Sequence, residues 1–427
     1  MKKKIAFSTF GCKLNFAETS EISRNIQKNN FELVDYKEFA DVYVINTCTV
    51  TANADKKCKT AIKQALHRNP NAKIAVMGCL SQLKASEISK IDGVDLVFGN
   101  TDKFLLPDFL ENLNKNEHAE IYNHDILKED RFIPSYSITS RTRSFFKIQD
   151  GCDYFCTYCA IPFARGRSRS DTVANTIKTA NEIGQTKIKE VVLTGINIGD
   201  FGKHHNENFY QLITQLEKVE GIERYRISSI EPDLLTDEII AFVHDSVKFM
   251  PHFHIPLQSG NNRILKLMHR KYTRELFAER VMKIKELMPD CCVACDVIVG
   301  FPSETDEEFN DTLQFLGQLD ISYIHVFTYS PRPNTLSLKI DEKVPEKEKK
   351  SRSQLLHRLS EEKKLTFYKS NIGKTVKVLW ESDVQNGFMF GFTDNYIRVK
   401  TSYDPSLVNE IKTIHLENMD SDGIFLV

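Results

Sequence analysis

Six of the ten cysteines in this 427-residue chain fall into two sets whose spacing could hold metal. Cys152, Cys156 and Cys159 form a Cys-x-x-x-Cys-x-x-Cys run. Three thiolates on one short loop can ligate three irons of a cubane [4Fe-4S] cluster, leaving the fourth iron open to another ligand. Zinc instead favours paired Cys-x-x-Cys or Cys/His motifs at finger spacing, and no second pair lies near this loop. The other set is dispersed: Cys12 in Gly11-Cys12-Lys13-Leu14-Asn15, Cys48 in Asn46-Thr47-Cys48-Thr49-Val50, and Cys79 in Met77-Gly78-Cys79. Any one of these alone reads as a small apolar residue packed near a strand end. Three in equivalent places read as a second three-thiolate site.

The elements that must position them follow from periodicity. Strands are predicted at Lys4–Phe10, Val42–Asn46, Ile74–Met77 and Asp95–Phe98, with helices over Ala17–Gln27, Ala54–His67 and from about Gln82. Strands separated by helices imply parallel pairing and right-handed crossovers. In an open parallel sheet the carboxyl ends of the strands share one edge, so Cys12, Cys48 and Cys79 should converge there. This α/β unit is expected to end near residue 125, with a polar stretch from Asn112 to Arg143 containing a linker over 126–143. A second alternating series has strands near Phe145–Ile148, Val191–Leu193, Tyr225–Ile227, His252–Ile255, Val293–Val299 and His325–Phe327. Six βα units predict a partial (β/α)6 barrel over 144–370, with chemistry at the carboxyl ends of its strands. Residues 341–370 read as an exposed Lys/Glu-rich helix. From Gly373 the pattern turns β-like, at Val376–Trp380, Phe388–Phe392 and Tyr396–Val399, predicting a small closed β-domain over 371–427.

The formal net charge is −1, so any nucleic-acid site must be a local patch. The basic start at Met1-Lys2-Lys3-Lys4 leads into an apolar run that stops at Ser8-Thr9, too short for a signal sequence. No run reaches membrane-spanning length, so the expectation is a cytoplasmic protein with no membrane partner. Cysteines grouped unevenly in a reducing compartment favour metal over disulfides. Cys58 falls within a helix pattern and reads as a core or surface thiol. Cys291, Cys292 and Cys295 lie on or beside a buried strand, whose alternation sends Cys292 and Cys295 to opposite faces; they read as structural. Arg165, Arg167 and Arg169, spaced by two, suit either an extended segment gripping phosphates or ordinary surface arginines.

Together, the two triads and the run Thr9-Phe10-Gly11-Cys12-Lys13-Leu14-Asn15-Phe16-Ala17-Glu18 resemble the radical S-adenosylmethionine (SAM) methylthiotransferase family. Lys13-Leu14 resembles its threonylcarbamoyladenosine branch, whereas the isopentenyladenosine branch usually carries Gln-Met there. The resemblance spans nearly the whole chain and identifies the end as a TRAM-type RNA-binding module. It implies two 4Fe-4S clusters: a radical-generating one on Cys152, Cys156 and Cys159, and an auxiliary one on Cys12, Cys48 and Cys79. It implies SAM as both methyl donor and radical source, with Tyr158, Glu231, Gln258 and Arg332 near it. The loop Ser330-Pro331-Arg332-Pro333-Asn334-Thr335 departs from the family's Arg-Pro-Gly-Thr; Asn also tolerates left-handed angles, so the same turn is expected. The implied reaction is methylthiolation of C2 of N6-threonylcarbamoyladenosine in a tRNA anticodon loop, with an unidentified electron donor, by a monomer or weak oligomer. Alternatives are isopentenyladenosine or a ribosomal-protein aspartate as target, or a non-catalytic cluster protein that binds RNA. Residues 371–427 carry more acid than base, so RNA contacts there would need a local face such as Lys374, Lys377, Arg398 and Lys400 with Phe388, Phe392 or Tyr396.

Overall fold

The computed structural model describes residues 2–27, 31–49, 52–110, 118–138 and 142–427. Its first unit is a six-stranded parallel sheet: β1 (Lys3–Thr9), β2 (Phe31–Val34), β3 (Val42–Thr47), β4 (Lys73–Gly78), β5 (Leu96–Phe98) and β6 (Glu120–Tyr122), in the order β2-β1-β3-β4-β5-β6. Its helices are α1 (Lys13–Gln27), α2 (Ala52–Arg68), α3 (Cys79–Ile88) and α4 (Leu106–Leu110). Strand alternation divides the apolar residues between two faces. Tyr43, Ile45, Ile74, Val76 and Val97 pack under α2 and α3. Val42, Val44, Ala75, Met77 and Phe98 pack under α1 and α4.

The second unit carries six parallel strands in chain order: β8 (Arg143–Lys147), β11 (Glu190–Thr194), β12 (Arg224–Ile227), β13 (His252–Gln258), β14 (Cys292–Val299) and β15 (Tyr323–Thr328). They form two sheets joined by parallel bridges at Tyr225–Phe249 and Ser229–His254. Strand β7 (Ser135–Tyr136) pairs antiparallel with β8, and the short pair β9 (Gln149–Asp150) and β10 (Arg169–Ser170) clasps the base of the cysteine loop. Helices α5 (Ile161–Arg165), α6 (Val173–Gly184), α7 (Phe209–Leu216), α8 (Asp237–Asp245), α9 (Asn262–Leu267), α10 (Arg274–Leu287) and α11 (Asp306–Gln318) intervene. Helix α12 (Glu346–Lys369) then docks on β15, where the Ser360 hydroxyl bonds the backbone of Ile324.

The last unit is a six-stranded sheet of β16 (Thr375–Gln385), β17 (Phe388–Thr393), β18 (Arg398–Ser402), β19 (Ile411–His415), β20 (Asn418–Met419) and β21 (Phe425–Leu426). Its core of Val378, Trp380, Met389, Val399 and Phe425 includes Cys292 from β14. Cys291 and Cys295 lie instead in the central core. Cys58 is buried under the first sheet.

Several elements differ from the sequence reading. Helix α1 begins at Lys13 rather than Ala17, so Lys13-Leu14-Asn15 forms its first turn. Helix α3 begins at Cys79 rather than near Gln82, so Cys79 follows its strand directly, as expected, but already lies on the helix. The edge strand β2 carries only four residues and no clear alternation, so it was not foreseen. Of the stretch expected to be unpatterned, residues 112–117 and 139–141 lie outside the described residues, while β6 completes the first sheet and β7 extends the second. Tyr396 stands in a turn with φ 67°, ahead of β18. Asn334 takes φ 65°, the left-handed turn expected of it. Among the described residues, no helix is long and apolar enough to cross a membrane.

Candidate active site

The three dispersed cysteines meet at the carboxyl edge of the first sheet. Gly11, at φ 105°, packs so tightly that an added Cβ would stand 2.8 Å from Cys48 Cβ and 3.1 Å from Cys48 Sγ. Only glycine allows Cys12 to follow at this approach. Asn15 Nδ2 donates to the carbonyls of Phe10 (2.7 Å) and Thr47 (2.9 Å), tying the two cysteine turns together. Burial pushes the Cys12 thiol up; Arg165 opposes this and Cys79 adds to it, so Cys12 and Cys79 lie within electrostatic reach. Asn100 Nδ2 donates to Cys79 Sγ at 3.4 Å.

The radical-type loop is fixed from both ends. Cys152 N–H donates to the Gly166 carbonyl at 3.1 Å and Cys159 N–H to the Cys156 carbonyl at 3.0 Å. Phe155 between them takes φ 48°, a left-handed turn that is costly for an aromatic residue. Burial pushes all three thiols up, Cys159 to about 12, and neighbouring thiols of the set add to the rise for Cys152 and Cys159. A group of thiols that cannot ionise together without a cation is the donor set an iron cluster requires, and none of the ten cysteines forms a disulfide. The loop triad therefore fits a cluster.

Two cavities open beside these triads. One, of about 220 Å³, is lined by Tyr158, Cys159, Gln258, Arg332, Asp296 and Thr49. It brings three of the four expected SAM neighbours to one triad and, through Thr49, to the residue after Cys48. Arg332 also lies within electrostatic reach of Cys48. Glu231 is not part of this lining. It pairs with Arg270, whose Nη1 donates to Cys156 Sγ at 3.1 Å. Arg270 was not singled out from sequence; its only signal is the basic run His269-Arg270-Lys271 after α9.

The other cavity, of about 490 Å³, is lined by Cys12, Lys13, Arg143, Arg226, His252, His254 and Tyr396 among others. Its size suits a small ligand such as one nucleoside. The two cavities share a wall, because His254 Nε2 lies 2.8 Å from Asp296 Oδ1. Tyr396 comes from the C-terminal unit, stacked on Phe392 at 4.7 Å. Arg226 reaches that unit too, donating to the carbonyls of Asp394 (2.8 Å) and Thr393 (2.7 Å).

The arginine triplet does not form a phosphate grip. Pro162 lies in the first turn of α5, which places Arg165 on a helical turn, and Gly166 at φ 79° reverses the chain. Arg165 is buried and donates to Glu18 (3.1 and 3.0 Å), Asp150 (3.0 Å) and Asn15 (2.6 Å). Arg169 is buried against Asp150 and main-chain carbonyls, leaving Arg167 alone exposed. Glu18 also receives Lys103 at 2.6 Å and Lys147 at 2.9 Å. This buried network joins α1, which starts beside Cys12, to the loop carrying Cys152. In the C-terminal unit Lys374 is paired with Asp290, Lys400 with Asp420, and Arg398 lies over Phe390.

Residues 4–99 match the uncharacterized protein family UPF0004, and residues 146–316 match the radical SAM superfamily. The chain is 40% identical to the threonylcarbamoyladenosine tRNA methylthiotransferase MtaB of Aquifex aeolicus, over 93% of this chain and 96% of that protein. It belongs to the radical SAM methylthiotransferase family. The MtaB of Bacillus subtilis is 38% identical over 96% of this chain and 93% of that protein. The tRNA-2-methylthio-N(6)-dimethylallyladenosine synthase of Clostridium tetani is 35% identical over 88% of this chain and 85% of that protein. In fold, this methylthiotransferase is similar to the radical SAM methyltransferase TsrM of Kitasatospora setae, with a TM-score of 0.56 at 12% identity, over 79% of this chain and 77% of that one. As a member of this family, it uses SAM and [4Fe-4S] clusters.

Proposed function

We propose that this enzyme attaches a methylthio group to C2 of N6-threonylcarbamoyladenosine at position 37 of tRNA, giving 2-methylthio-N6-threonylcarbamoyladenosine. The observation that carries this reading is the pair of cavities sharing the His254–Asp296 wall, one lined by Cys159 and the other by Cys12. Two separate cysteine triads serve one reaction only if their open faces address neighbouring compartments. The MtaB relatives name the base.

Cys152, Cys156 and Cys159 would hold the radical cluster, and Cys12, Cys48 and Cys79 the auxiliary one. When bound, these groups supply the electron that cleaves SAM and the site of sulfur transfer. Tyr158, Gln258 and Arg332 then hold SAM in the smaller cavity. Arg270, fixed by Glu231, sets the charge beside Cys156. The base, splayed from the single-stranded anticodon loop, enters the larger cavity. An aromatic C–H at C2 has no acidity a side chain could exploit, so a radical route suits the task. The six-stranded arc reads as a partial (β/α)6 barrel and the last unit as a TRAM-type module, within domains at 1–125, 144–370 and 371–427. A cytoplasmic monomer or weak oligomer fed by a separate electron donor completes the reading.

The test is anaerobic turnover of the reconstituted enzyme with SAM, sulfide, reductant and two tRNAs, followed by mass spectrometry of digested nucleosides. A methylthio mass gain confined to the threonylcarbamoyl tRNA is expected. A gain confined to the dimethylallyl tRNA would overturn the choice of base.

A further inference from the structure

Lys13 is the first residue of α1 and follows Cys12 directly, so its side chain lines the larger cavity beside the auxiliary cysteines. It is solvent-accessible within that concavity, and it has no hydrogen-bond or ion-pair partner among the described residues. The other cations there are already engaged. Arg143 pairs with Glu381 at 2.9 Å, and Arg226 with Glu190 at 2.8 Å and with two C-terminal carbonyls. No carboxylate is among the described residues lining the cavity. His252 lines the same cavity, is 8% exposed, and neither ring nitrogen has a hydrogen-bond partner. A cavity with one uncommitted cation, two engaged ones and an unsatisfied imidazole is built for an anion carrying further polar groups.

We propose that Lys13 selects the substrate by pairing its ammonium with the carboxylate of the threonylcarbamoyl group, while His252 hydrogen-bonds the adjoining carbamoyl. The inference rests on the substrate reading above and adds to it the residues that enforce the choice. The group has the matching chemistry: one carboxylate, one urea-like linkage and one hydroxyl. A dimethylallyl group at the same nitrogen is uncharged and apolar. Seating it would desolvate Lys13 and leave His252 unpaired, so the site disfavours that base as well as favouring the other.

The test uses reconstituted holoenzyme and three anticodon stem-loops: threonylcarbamoyl, its carboxamide (the carboxylate replaced by a neutral amide) and dimethylallyl. Fluorescence anisotropy gives Kd and product mass gives kcat/KM, with iron content confirming that each variant carries both clusters. A charge-assisted contact predicts that the wild type prefers the carboxylate over the carboxamide by about tenfold to a hundredfold. Lys13→Gln should lose that preference, and Lys13→Arg should recover part of it. Equal wild-type binding of carboxylate and carboxamide would overturn the inference without using any variant. So would a uniform loss across all three stem-loops in Lys13→Gln, which marks a backbone phosphate contact. Turnover of the dimethylallyl substrate alone would overturn the substrate reading and this inference with it. Preference for the threonylcarbamoyl base that survives in Lys13→Gln would overturn this inference only.

Discussion

Replacing Glu18 by Gln tests what holds the first sheet to the radical domain. The carboxylate is 1% exposed and receives Lys103 at 2.6 Å, Lys147 at 2.9 Å and both terminal nitrogens of Arg165 at 3.1 and 3.0 Å. A glutamine keeps the shape, but its NH2 must point a donor into one of three cations, none of which has another route to water. Removing one partner from a buried ion pair costs about 3–5 kcal/mol, mostly because the remaining charge stays buried. At about 1.4 kcal/mol per tenfold, opening of α1 should become about two to nearly four orders of magnitude more frequent. Native-state hydrogen exchange read by mass spectrometry over residues 13–27 measures this directly. Burial alone would raise the Glu18 pKa, but Arg165, Lys103 and Lys147 outweigh it and hold the group far below 4.5. Its folded pKa is depressed, so its stabilisation is fully present above about 4.5 and is lost as pH falls through the folded value. The exchange difference between wild type and Glu18→Gln should therefore be constant from pH 8 to about 5. The double variant Glu18→Gln/Lys103→Met should be less damaged than Glu18→Gln alone, because one stranded cation is gone. Unchanged α1 exchange in Glu18→Gln would refute the view that this carboxylate joins the two units.

Gly11→Ala should eject the auxiliary cluster, since its Cβ would overlap Cys48; iron content should fall by roughly half while SAM cleavage to 5′-deoxyadenosine persists. Arg270→Met removes an N–H donor and a positive charge from Cys156, so redox titration followed by electron paramagnetic resonance should show a more negative potential for the radical cluster. The stranded Glu231 should cost that region about 3–5 kcal/mol, visible as a lower thermal midpoint. Cys295→Ala should leave iron content and turnover unchanged and cost stability by about 1 kcal/mol, as a buried side chain in the central core.

The placement of the cysteines was legible because it is local: a loop spacing groups one triad, and neighbouring strand ends on one sheet edge gather the other. The six strands of the arc were legible because each is a short apolar run closed by a polar turn. Glu231 entered by resemblance alone; it pairs with Arg270 and lies within electrostatic reach of Cys152, Cys156 and Cys159. The arginine triplet was misread because spacing by two suggests extended chain, whereas Pro162 and Gly166 impose a helical turn and a reversal. Arg165 has its deciding partner 147 residues away, and no local pattern announces a pair so distant. Tyr396 could not be assigned to the cavity for the same reason, since its wall is built from three units at once.

Arg224 and Arg226 give that third unit a role in the order of synthesis. Both are buried in the central arc, yet they spend donors on carbonyls of Lys377, Phe392, Thr393 and Asp394. A chain leaving the ribosome has all six cysteines of the two triads by residue 159, but these guanidinium groups find the four carbonyls only when the last unit emerges. On the proposed reading, the cysteine sites are thus available early, and the cavity assigned to the substrate is finished last. A nascent or truncated chain ending near residue 370 would carry both cysteine triads beside an open, positively charged trough, exposed to oxygen and to any passing RNA.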